Sequence, residues 1–157
     1  MAEQPDLRRQ LIGRPELWDT AADEFLRYTS VNQTLSRTVT NDVEVEGHTL
    51  RRSDRVLISW LAANHDEKEF ERPDELLLDR SPNRHLAFGL GPHRCIGSHL
   101  AKTMFEELGR GVLERMPDHE VALDDVEEYL GDPSVTGIVK MPIRFTPGVK
   151  LGAPRPY

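Results

Sequence analysis

Apolar residues recur at helical spacing in two stretches of this chain and at strand-like spacing between and after them. Leu17, Trp18, Ala21, Ala22, Phe25 and Leu26 repeat every three or four positions, which places them on one face of a helix running to about Tyr28. Pro15 stands just ahead, where a first helical turn tolerates a residue with no N–H. The second stretch runs from Ile96 through Leu100, Met104, Phe105, Leu108, Val112 and Leu113. It predicts a long amphipathic helix stopping near Met116-Pro117. A shorter helical fragment from Leu7 to Leu11 lies between the interruptions at Pro5 and Gly13.

Between the helices the period changes. From Thr34 to Ser59 short β-rich runs appear at Thr38-Val39-Thr40, Val43 to Val45, Thr49-Leu50 and Arg55 to Ser59, with turns expected at Glu46-Gly47 and Ser53-Asp54. These predict a small antiparallel sheet. Trp60 to Ala63 reads as a helical turn, and a long aperiodic stretch then runs from Asn64 to the second helix. After that helix, Val121, Leu123, Tyr129-Leu130, Val135 to Val139 and Ile143 to Phe145 suggest strands, which Gly137, Pro142, Pro147 and Gly148 punctuate into hairpins. The pattern predicts an α+β chain, mainly helical.

Length and composition narrow the class. At 157 residues the chain suffices for one core-bearing domain, and 38% hydrophobic with 30% charged residues is ordinary for a soluble protein. A net charge of −7 argues against non-specific nucleic-acid binding, which needs clustered Lys and Arg. No apolar run is long enough for a membrane span, and the opening MAEQPDLRRQ has no signal-peptide core. The one cysteine cannot form an internal disulfide. A cytoplasmic location is the expectation.

That cysteine lies in the stretch Phe88-Gly89-Leu90-Gly91-Pro92-His93-Arg94-Cys95-Ile96-Gly97. Glycines and a proline describe a tight loop that can hold a side chain in place. With the second helix starting immediately afterwards, Cys95 is expected at a helix N-terminus, where free N–H groups and the helix dipole favour thiolate over thiol. Such a sulfur is suited to ligate a metal. Upstream, Glu24 and Arg27 are three apart on the first helix, close enough for an ion pair.

Together these motifs resemble the cytochrome P450 monooxygenases. Phe88, Gly89, Gly91, His93, Cys95 and Gly97 match the haem-binding loop of that family, and Glu24 and Arg27 match the Glu-x-x-Arg pair of its K helix. The resemblance implies the C-terminal portion of the family's fold: K helix, small antiparallel sheets, an irregular meander, the cysteine loop, the L helix and C-terminal hairpins. It implies one partial domain, residues 1–157, holding haem b with Cys95 as the axial iron ligand. By the same resemblance Phe88 shields the sulfur, and His93 and Arg37 reach the haem propionates. Glu24 and Arg27 are then structural, with Arg80 or His85 as the third partner of their network. The meander departs from the common bacterial form at Leu77, where an aromatic is usual. The Val135-Thr136-Gly137 turn is implied to reach toward substrate.

Members of the family are much longer. The resemblance implies that the distal helix, with its acid and alcohol pair, and most of the substrate pocket lie outside these residues. Monooxygenation of a small hydrophobic organic substrate, with electrons from a ferredoxin-type donor docking near Arg84, Arg94 and Lys102, is therefore implied for the longer enzyme. For this chain a haem-binding module without turnover remains open, and apolar faces without cover predict self-association. A zinc site is a remote alternative, because Cys95 and His99 lie four apart with His93 and His85 close in sequence.

Overall fold

Three helices converge on Trp18. The computed structural model describes residues 4–148. α1 (Pro5–Gly13) leads through a 3-10 turn (Pro15–Leu17) directly into α2 (Trp18–Thr29). The long helix α4 (Ser98–Arg115) packs across both, after the short helix α3 (Trp60–Asn64) and the cysteine loop. Leu11, Leu17, Trp18, Ala21, Phe25, Leu78 and Leu113 form the core, flanked by Leu7, Leu76 and Phe105. Burying such side chains is worth about 1.5–3 kcal/mol each. The first predicted helix is therefore found nearly as read, and the Leu7–Leu11 fragment extends over the whole of α1.

The second helix differs in two ways. It begins at Ser98 with Gly97 at its cap, so Ile96 and Cys95 precede it. Its apolar residues also do two different things. Phe105 and Leu113 pack on the core, whereas Leu100, Met104 and Leu108 are 66%, 53% and 65% exposed. At about 100° per residue these are neighbouring stripes of one helix. Only one of them has a partner among the described residues.

Among the described residues the strands form four separate two-stranded antiparallel ribbons rather than one sheet. β1 (Thr34–Thr38) pairs with β4 (Arg55–Ser59), and β2 (Val43–Val45) with β3 (His48–Leu50). Of the predicted run Thr38-Val39-Thr40 only Thr38 lies in a strand, because β1 starts earlier and its register with β4 ends at the Thr38–Arg55 pair. Glu46 and Gly47 turn the second ribbon with φ of 50° and 77°, the left-handed pair a two-residue hairpin requires. Beyond α4, β5 (Glu120–Val121) pairs with β8 (Ile143–Arg144), and β6 (Glu127–Glu128) with β7 (Ile138–Lys140). Leu123 falls in a 3-10 turn, and Tyr129, Leu130 and Val135 lie outside the strands. Val135 instead bridges to Asn32 just after α2. Among the described residues, no helix is long and apolar enough to cross a membrane.

Candidate functional site

Glu24 and Arg27 sit one turn apart on the buried face of α2, both at 0% exposure. Arg27 grips the carboxylate with two bonds, Nε to Oε2 at 2.8 Å and an Nη to Oε1 at 3.0 Å. Arg80 adds a third from its Nε at 2.9 Å, which identifies it as the further partner of the pair. The Leu77 N–H and the Asn83 amide also donate to Glu24, at 2.9 and 3.1 Å. Burial alone would raise the Glu24 pKa. The donations from Arg27, Leu77 and Arg80 outweigh it and hold the carboxyl below its ordinary value.

The guanidiniums then reach outward into the aperiodic stretch. Arg27 donates to the carbonyls of Asn64, Pro73 and Glu75, and Arg80 to those of Glu71, Arg72 and Glu75. Asn64, fully buried, accepts from the Leu86 N–H at 2.6 Å and donates to Ser30 at 2.8 Å. Segment 64–86, featureless in periodicity, is thus held by side-chain donors. His85, the other candidate third partner, points elsewhere, to Asp23.

The network carries the chain into the cysteine loop. Gly89 and Gly91 have φ of 69° and 73°, conformations that a side chain disfavours. Gly91–His93 forms a 3-10 turn, and the Cys95 N–H donates back to the Phe88 carbonyl at 2.9 Å. Gly97 has an ordinary negative φ, and a Cβ there would stand 3.8 Å from the Cys95 sulfur. The thiol is exposed.

Above the loop lies an open, mostly apolar cleft of about 370 Å³. Arg37, Phe88, Gly89, His93 and Cys95 all line it. Gly91 and Gly97 shape the loop without lining the cleft. Arg37 donates to the Ser36 carbonyl at 2.9 Å and makes no ion pair among the described residues. Trp60, Leu26 and Val31 also line the cleft, a role that neither helical spacing nor the cysteine motif assigns to them. Trp60 comes within 4.0 Å of where a Gly89 Cβ would stand, a contact no local pattern encodes. Leu90 and Ile96 project at the loop's edge, 71% and 102% exposed.

Three other expectations change. Cys95 and His99 do not share a helix face, because α4 starts after the cysteine; no cluster of three or more metal-ligating side chains occurs among the described residues. Lys102 is not a free surface cation but pairs with Asp23 at 2.8 Å and, more loosely, with Glu106 at 3.8 Å. The Val135-Thr136-Gly137 turn does not line the cleft; it is tied to the segment after α2, where the Thr136 N–H donates to the Val31 carbonyl at 2.8 Å.

Residues 10–116 match the family model for cytochrome P450. The chain is 38% identical over 146 residues to the 20-oxo-5-O-mycaminosyltylactone 23-monooxygenase of Streptomyces fradiae, covering 92% of this chain and 35% of that protein. It is 36% identical over 141 residues to the steroid C26-monooxygenase of Mycolicibacterium smegmatis, covering 90% and 35%. The crystal structure of the mycinamicin VIII C21 methyl hydroxylase of Micromonospora griseorubida superposes with a TM-score of 0.85 at 32% identity, over 92% of this chain and 37% of that one. The chain thus spans about a third of the length of these relatives. With a family model matched over most of its residues and the same fold in a solved relative, this chain belongs to the cytochrome P450 family.

Proposed function

We propose that this chain, residues 1–157 as a single partial domain, is the proximal haem-binding portion of a haem-thiolate monooxygenase. The observation that carries the reading is the exposed Cys95 thiol at an apolar cleft with Arg37 and His93 on its lining. This arrangement fits haem b: an apolar shelf suits the macrocycle, a sulfur suits the iron, and two cationic or N–H-donating side chains suit its carboxylate arms. Haem bound there would supply the redox-active iron and its oxygen chemistry. Cys95 would hold the metal, and Phe88 would limit water at the sulfur. Gly89 and Gly91 give the loop its tight path, and Gly97 leaves space beside the thiol.

The relatives' names describe oxidation of a macrolide and of a steroid, which supports a hydrophobic organic substrate for the whole enzyme. A one-electron donor of the ferredoxin type is proposed to dock at the proximal face. Because Lys102 is tied to Asp23, Arg84 and Arg94 are the stronger candidates for that contact. A second reading, haem binding without turnover, is favoured for this chain taken alone by its covering about a third of its relatives.

The test is an absorption spectrum of the purified chain with haem, reduced under CO, beside Cys95→Ser. A thiolate-type band lost in the variant supports the reading. No haem uptake, or an unchanged band, overturns it.

A further inference from the structure

Beside the cysteine loop, Asp23, His85, Arg94, His99 and Lys102 share a small crevice of about 270 Å³, which has Phe88 and Gly89 in common with the cleft. Its centre is His85, whose side chain is 8% exposed. Nδ1 lies 3.2 Å from the Ala87 nitrogen, a bond in which the backbone N–H must donate and the ring accept. Nε2 therefore carries the proton and faces Asp23 Oδ1 at 3.4 Å. Asp23 is held in turn by Lys102 from α4. The imidazole also packs on the Phe88 ring, centroids 5.9 Å apart, and the Phe88 carbonyl receives the Cys95 N–H. A continuous chain of contacts thus runs from α2 and α4 through one imidazole to the backbone of the cysteine.

We propose that neutral His85 is a positioning residue for Cys95: it fixes the Ala87–Phe88 turn on which the cysteine backbone hangs, and its protonation releases that turn. An imidazolium has no lone pair for the Ala87 N–H, so acceptance at Nδ1 ends when the ring charges. The groups facing it act in opposite directions. Asp23 on α2 favours the charged ring, while Lys102 on α4 and Arg94 on the loop disfavour it, with His99 across the crevice. Burial is the largest influence and, with the two cations, keeps His85 below its ordinary pKa. The turn is therefore held at neutral pH and let go in acid. The consequence for the iron ligand rests on the haem-thiolate reading above. The link between His85 and the cysteine backbone does not.

The experiment has a haem-free and a haem-bound arm. In the haem-free chain, amide exchange at Ala87 and Cys95, corrected for intrinsic rates, is followed against pH. Both amides should lose protection together as the pH falls through one midpoint. His85→Phe should lower it by about two- to tenfold at neutral pH, the equivalent of one hydrogen bond. Asp23→Asn should move the midpoint to lower pH and Lys102→Met to higher pH, opposite shifts that a general loss of folding cannot produce. In the haem-bound chain, the thiolate-type fraction of the reduced CO complex should follow the same midpoints. Identical Cys95 protection in His85→Phe, or midpoints unmoved in both charge variants, overturns the proposal. Shifted midpoints without any thiolate-type band would sustain the positioning role and refute the haem reading.

Discussion

Gly109 on α4 lies directly against the indole of Trp18: a Cβ built on it would stand 2.1 Å from Cη2 of the ring. Trp18 is 1% exposed and hemmed by Phe25 and Phe105 at centroid distances of 6.4 and 6.1 Å. Gly109→Ala should destabilise the chain by about 1–3 kcal/mol despite alanine's better helix propensity, because overpacking outweighs it. Urea unfolding followed by tryptophan fluorescence measures this, and an unchanged midpoint would show that α4 can slide away from the ring.

Glu24 balances two buried guanidiniums. Glu24→Gln keeps the shape and removes the charge, leaving Arg27 and Arg80 without a counter-ion. Removing one partner of a buried ionic set costs about 3–5 kcal/mol. Thermal unfolding at neutral pH should show the loss. Retention of wild-type stability would mean that the carbonyl acceptors alone satisfy both arginines.

Acid should act in two stages. His85 is held below its ordinary value of 6.5, so on acidification the unfolded chain takes up that proton before the folded one. Stability therefore falls as the pH drops from 6.5 toward the folded value. Glu24 is likewise depressed from 4.5, and its contribution is full above that value and lost as the pH falls through the lower folded one. Denaturant midpoints measured across this range should decline in both windows. His85→Phe should abolish the first decline only.

The stripe Leu100, Met104 and Leu108 on α4, with Ile96 beyond its start, faces solvent. An apolar surface of this kind drives association. The 157-residue chain should sediment as oligomers, and the double variant Leu100→Lys with Leu108→Lys should shift it toward monomer without loss of helix content. Oligomers that persist in the variant would place the contact elsewhere.

Sequence periodicity read α2 well, because propensity and burial agree there, and it found the body of α4 although only part of that helix's apolar pattern is buried. It misjudged where α4 starts, since Ile96 fits the helical spacing yet extends outward from the loop. The cysteine motif placed Cys95, His93, Phe88 and Gly89 together, and the structure brings Arg37 to the same cleft across β1. Asn64 and Trp60 are legible as the ends of a helical turn and not by their roles, which depend on the chain's return past α2, and no local pattern records a contact of that range. Arg80 and His85 could not be separated from sequence, as both lie within reach of α2. Only the geometry sends one to Glu24 and the other to Asp23.

The carbonyls of Asn64, Glu71, Arg72, Pro73 and Glu75 all close on two guanidinium groups. The segment that contains them has no ladder of its own, so its shape rests on one guanidinium from α2 and one from its own Arg80, both held by Glu24. Its ordering is conditional on that carboxylate and the two guanidiniums it holds. Since the cysteine loop follows directly from that segment, the placement of Cys95 depends, at a distance, on one buried carboxylate.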